Sequence, residues 1–78
     1  MGGGIAGRGL GDTLRERRLR AGISERAMSL GMHRSVSFVR AYERGKISLT
    51  IEELESAAAI LGTKLSELLA EYESAKNQ

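Results

Sequence analysis

The sequence predicts an all-α fold, a compact set of five short helices, and three observations carry that expectation. Apolar residues recur at spacings of three and four, no segment alternates with a period of two, and the apolar stripes are separated by glycine stops and hydroxyl caps. Proline, which would interrupt a helix, is absent.

Each element follows from its own local signals. Leu10, Leu14 and Leu19 lie on or near one face of a first segment that stops at Gly22. Ser24 offers an N-cap for a second, short helix whose Met28 and Met32 stand four apart. A turn is needed around His33-Arg34, after which Ser35 caps a third helix carrying Phe38, Val39 and Tyr42 and ending at Gly45. Thr50, with Glu53 three residues on, forms a capping box that introduces Ile51, Leu54, Ala57, Ala58 and Leu61, with Gly62 as the stop. Leu65, Leu68, Leu69 and Tyr72 then give a last helix its stripe before "SAKNQ" frays. The implied organisation is a flexible glycine-rich leader over 1–9, one domain over 10–73 and a frayed end over 74–78. Either Leu65, Leu68, Leu69 and Tyr72 close the domain's own core, or Tyr72 and its outer neighbours form part of a dimer seam.

Composition narrows the function. The chain has 78 residues, near the lower limit for a self-sufficient core. The longest apolar run, Ala57 to Leu61, is too short to span a membrane, and the first residues carry no secretory pattern, so a cytoplasmic protein is expected. Without cysteine there is neither a disulfide framework nor a thiolate metal site. Residues 1–47 hold ten Lys/Arg against four acids, a net +6, whereas residues 48–78 hold two against six, a net −4. One end of the chain is expected to attract polyanions and the other to repel them.

Catalytic and metal chemistry find little support. His33 lacks companions for a metal site and reads as a turn residue. Ser24, Ser35 and Ser37 have no base beyond that turn histidine. Glu52, Glu53 and Glu55 at a helix start are explained by capping and the helix dipole. Met28 and Met32 read as core fillers. No cofactor, metal or small-molecule ligand is expected, and the chain is not expected to be an enzyme.

The segments at 24–32 and 35–44 are joined by a turn too tight to let them lie antiparallel. Such a pair crosses steeply and leaves its second helix protruding, where it fits a major groove about 12 Å wide. The stretch "GISERAMSLGMHRSVSFVRAYERG" resembles the helix-turn-helix of the lambda-repressor/Cro family of transcriptional regulators, and the likeness extends over residues 10–69. Gly22-Ile23-Ser24 opens the motif, Met28 and Ser29 take its apolar and small core positions, Val39 its buried branched position, and Tyr42-Glu43-Arg44-Gly45 its close. Leu49 stands where proline is more usual. Gly31 imitates the turn glycine, but using it would delete two residues from one helix and insert two in the next. The ungapped register puts His33 at the position usually held by glycine, where φ is positive, and leaves Gly31 inside the second helix at about 1 kcal/mol relative to alanine.

The resemblance implies a sequence-specific regulator that binds double-stranded DNA as a homodimer on a palindromic operator, in a bacterial or phage nucleoid. Placed on the motif, Arg34, Ser35, Val36, Ser37 and Arg40 are the residues expected to contact bases. Ser24, Glu25, Arg44, Lys46 and Ser48 are expected at phosphates, together with the free amides opening the second helix and those of the loop through Ser48. The family usually has glutamine at the position of Glu25, where a carboxylate favours the helix dipole but repels phosphate. Arg18 and Glu43 occupy positions that form a structural ion pair in the resembling family. A different class of function on the same scaffold is a protein-interaction module, such as a toxin-neutralising antitoxin.

Overall fold

Helix ends, more than helix interiors, set the path of this chain. A computed structural model describes residues 9–76; they form α1 (Leu10–Arg20), α2 (Glu25–Met32), α3 (Val36–Glu43), α4 (Ile51–Ile60) and α5 (Leu65–Lys76), and no strand occurs among them. Apart from Gly9, the leader expected over 1–9 lies outside the described residues. Helix α5 runs through Lys76, and residues 77 and 78 of the expected end segment lie outside the description.

The four stops share one hydrogen-bond geometry. The amides of Ile23, Arg34, Lys46 and Thr63 each donate to the carbonyl five residues back, on Arg18, Ser29, Ala41 and Ala58. This closure requires a left-handed residue just before the donor. Gly22, Gly45 and Gly62 supply it after α1, α3 and α4, whereas α2 uses His33 at φ 60°. An L side chain in that conformation costs about 1–2 kcal/mol. The positive φ at His33 agrees with the ungapped reading of the motif.

At the starts, Ser24 Oγ accepts from the Ala27 amide at 3.0 Å and Ser35 Oγ from that of Phe38 at 3.1 Å. Thr50 and Glu53 complete the capping box, with Thr50 Oγ1 accepting from the Glu53 amide and Glu53 Oε1 from that of Thr50. These contacts answer amides that the first turn of a helix leaves unpaired.

The core gathers Leu14, Met28, Met32, Val39, Tyr42, Leu54, Ala57, Ala58, Leu61 and Leu68. Helix α1 packs on α3 and α5, α2 on α3 and α4, and α4 on α5. Tyr42 edges onto Phe38 with ring centroids 5.5 Å apart, and its hydroxyl donates to Met32 Sδ at 3.6 Å. Burial pushes the Tyr42 phenol well above its ordinary pKa.

Three residues of the expected apolar stripes are outside. Leu19 is 52%, Ile51 63% and Leu69 37% exposed. The buried side of α1 runs instead through Gly11, Leu14 and Arg18, spaced three and four, and Leu19 falls off that stripe.

Small residues permit two close approaches. A Cβ on Gly11 would stand 2.3 Å from the Tyr42 carbonyl oxygen and 2.7 Å from that of Glu43, so α1 lies directly against the last turn of α3. A Cβ on Gly31 would stand 2.8 Å from Ile60 Cδ1, where α2 meets α4. This contact accounts for a glycine inside a helix, at the position that imitates the turn.

Gly11→Ala is expected to lower stability by about 1–3 kcal/mol, because two backbone carbonyls must move; urea unfolding measures it. His33→Gly is expected to act in the opposite direction by up to about 1 kcal/mol, as strain at φ 60° is released against added freedom of the unfolded chain.

Candidate nucleic-acid interface

Helix α3 has two faces of opposite character. Val39, Tyr42 and Glu43 are buried, whereas Ser37, Arg40 and Arg44, spaced three and four, are exposed together with the cap Ser35. Val36 and Phe38 are half-buried. The helix therefore anchors by one apolar stripe and presents polar and cationic groups along another. Among the residues expected to meet bases, Ser35, Ser37 and Arg40 share this outward side, with Val36 at its edge.

Arg34 and Arg40 are held in place by acids. Arg40 Nε donates to Glu25 Oε1 at 3.0 Å, tying α3 to the first residue of α2. Arg34 donates from Nη1 to Glu53 Oε2 at 2.9 Å, and its guanidinium carbon lies 3.8 Å from the centroid of the Phe38 ring. Arg34 thus spans the entry to α3 and the capping box of α4. Nothing in the local pattern announced this: Glu53 is fully accounted for by capping Thr50, and the second partner is supplied by packing. Bonding to the Thr50 amide, with further help from Arg34, keeps the Glu53 carboxyl below the usual range.

The buried support is Arg18 with Glu43. Arg18 Nε donates to Glu43 Oε2 at 2.7 Å and Nη2 to Oε1 at 3.1 Å, while Nη1 donates to the Ile23 carbonyl at 3.0 Å. The side chains are 6% and 3% exposed, and the bond to Glu43 raises the Arg18 pKa further. One guanidinium thus fixes α1, the turn into α2 and the end of α3.

The phosphate candidates divide into two groups. Ser24, Lys46, Ser48 and Arg44 are exposed, and Glu25 is half-buried in its bond to Arg40. The loop amides are less available than expected: those of Arg44, Gly45 and Lys46 donate to Arg40, Tyr42 and Ala41 and finish α3. Within the stretch from Arg44 to Ser48, the amides of Ile47 and Ser48 donate to no backbone carbonyl among the described residues. At the start of α2, Ser24 takes the Ala27 amide with its hydroxyl and that of Met28 with its carbonyl, which leaves the amides of Glu25 and Arg26.

The charge picture is also revised. The acidic half of the sequence folds back on the basic half: Glu53 meets Arg34, and Glu71 meets both Arg17, at 2.6 Å, and Arg20. Bonding from Arg17 holds the Glu71 carboxyl below its usual pKa. Among the described residues, Arg15, Arg26, Arg44, Lys46, Lys64 and Lys76 form no ion pair. Three of these, Arg26, Arg44 and Lys46, sit at the opening of α2 and at or just beyond the close of α3.

The helix-turn-helix domain model matches residues 9–71. The chain belongs to the helix-turn-helix family. Its all-α fold is that of the family's regulators: it superposes on two structures of the clp gene regulator ClgR from Corynebacterium glutamicum with TM-scores of 0.82 and 0.80 at 27% identity. The matches cover 85% of this chain and 70% or 85% of ClgR. The hydroxypropylphosphonic acid epoxidase of S. wedmorenis is also similar, with a TM-score of 0.71 at 27% identity over 78% of this chain but 32% of that enzyme. No curated protein sequence matches. Among the described residues of this helix-turn-helix protein, no helix is long and apolar enough to cross a membrane.

Glu43→Ala is expected to cost about 3–5 kcal/mol, since it strands a buried guanidinium, whereas an Arg18→Met, Glu43→Leu double replacement is expected to recover most of that loss. Thermal melts of the three proteins check both statements. An unimpaired Glu43→Ala protein would show that the pair holds nothing together.

Proposed function

We propose that this helix-turn-helix protein is a sequence-specific, double-stranded DNA-binding transcriptional regulator that binds as a two-fold dimer. The observation that carries the reading is the outward stripe of α3, Ser37, Arg40 and Arg44, flanked by cations without ion-pair partners at the start of α2 and the end of α3. Membership of the family and likeness to ClgR, a gene regulator, support it.

In this reading α3 enters the major groove. Arg40 meets a guanine edge, where a two-bond grip discriminates by about 1–3 kcal/mol, and Ser35 and Ser37 contact bases less selectively while Val36 meets a thymine methyl. Arg34 reaches a base only by leaving Glu53 and the Phe38 ring, so its first role is to hold the entry to α3. Arg44, Lys46 and the open amide of Ser48 take phosphates on one side, and Ser24 takes one on the other, beside α2 amides that the Glu25 carboxylate guards. Glu25 acts there through Arg40. Two-fold symmetry places half-sites about 34 Å apart on a palindromic operator. The reading assigns no catalytic step, no cofactor and no metal to the domain. The likeness to the epoxidase covers a third of that enzyme.

Retention on mixed genomic DNA is expected to fall steeply with salt, with a log–log slope of about −0.9 per phosphate contacted. A protein-interaction module such as an antitoxin that gripped only protein would show no retention even at low salt, and that result would overturn the reading. Selection from random duplexes is expected to return a palindrome. Lys46→Ala is expected to weaken all duplexes alike, whereas Arg40→Ala is expected to relax preference at one base pair per half-site.

A further inference from the structure

We infer that Glu25 is a specificity-determining positioning residue: it never touches a base, but it holds Arg40 in the one orientation that reads guanine end-on, and it does so at the expense of sequence-independent affinity. The inference rests on the DNA-reading role of α3 given above and deepens it.

The bond uses a particular edge of the guanidinium. Arg40 donates its Nε–H to Glu25 Oε1 at 3.0 Å, and no described residue accepts from its Nη1 or Nη2. A guanidinium can grip guanine O6 and N7 either through Nε with one Nη or through both Nη groups. With Nε occupied, only the second mode remains. The Arg40 side chain is 52% exposed and that of Glu25 33%, so the reading side chain is more open to solvent than its anchor. Arginine carries about 2 kcal/mol of rotamer entropy. A carboxylate already bonded to its inner edge removes part of that cost before DNA arrives.

Glu25 acts on the backbone in the opposite sense. It is the first residue of α2, where the Glu25 and Arg26 amides remain open and the helix dipole favours an anion. Its own carboxylate supplies that anion. A phosphate approaching the same amides meets a like charge, so the contact that most cheaply adds affinity for every sequence is suppressed. One side chain therefore raises the ratio of specific to non-specific binding through two routes, and only one of them passes through Arg40.

The full-length chain and its Glu25→Gln, Glu25→Ala, Arg40→Ala and Glu25→Ala/Arg40→Ala variants test this, each first shown to be folded by its circular dichroism. The probes are a duplex recovered by selection from random DNA, its three single-base-pair replacements at the position where Arg40→Ala loses preference, and an unrelated duplex. Glu25→Ala is expected to bind the unrelated duplex more tightly, with a salt slope steeper by about 0.9, one added phosphate contact. Its discrimination at the Arg40 position is expected to fall at least about fivefold, the low end of what such a grip supplies. Glu25→Gln, which keeps the acceptor without the charge, is expected to gain the same unrelated affinity while keeping more of the discrimination. In the Arg40→Ala background, removing Glu25 is expected to leave discrimination unchanged and still raise unrelated affinity. Unchanged or greater discrimination in Glu25→Ala would overturn the inference and leave the regulator reading intact. Failure of the unmodified chain to retain any duplex at low salt would instead overturn the regulator reading.

Discussion

A single buried guanidinium organises this domain. Arg18 reaches from α1 to the last residue of α3 and to the carbonyl of Ile23, so three of its five N–H groups are spent on two separate pieces of chain. The Ile23 amide in turn donates to the Arg18 carbonyl. Residue 23 is thereby held at both its donor and its acceptor, and the direction in which α2 leaves α1 is set. Because Glu43 closes α3, the same pair fixes where the outward stripe of that helix points. Such an arrangement contributes little net free energy, since desolvation offsets most of the attraction, but it makes alternatives expensive. Its value lies in geometry: an α3 rotated about its axis would bury a carboxylate without its partner.

The remaining arginines show how a basic chain of this size avoids repelling itself. Acids from α4 and α5 fold onto cations of α1 and of the α2–α3 turn, with Glu71 serving two at once. Exposed pairs of this kind are worth at most about 1 kcal/mol each, so they shape the surface potential more than the stability. Of the described cations that form no ion pair, Arg26, Arg44 and Lys46 lie at the opening of α2 and the close of α3, while Arg15, Lys64 and Lys76 lie elsewhere on the surface.

Close packing supplies what a small core lacks in volume. Gly11 against the end of α3, Gly31 against Ile60, and the buried Ala57 and Ala58 bring helix backbones nearer than larger side chains allow. Contacts between backbones have little freedom to adjust, which makes the positions of the helices well defined even though few large side chains are wholly buried. The strained His33 is tolerated within this frame because the turn it makes is stapled by bonds to Leu30 and Ser29.

The chain by itself determined the helices. Their caps and stops are contacts between residues three to five apart, so Ser24, Ser35, Thr50 with Glu53, and the glycines at 22, 45 and 62 could be read directly, whereas the unusual turn at His33 followed from the ungapped resemblance to the helix-turn-helix motif. The core stripes of α2 and α3 were legible for the same reason. Tertiary structure alone decided that Leu19 and Ile51 face solvent, because burial depends on which neighbour a face meets and not on its period. It alone chose partners for the arginines: Arg34 with Glu53, Arg40 with Glu25, and Arg17 with Glu71 join positions between 15 and 54 residues apart. Charge counted along the chain therefore overstated how far its poles are separated, since attraction acts through space and folding brings opposite charges together.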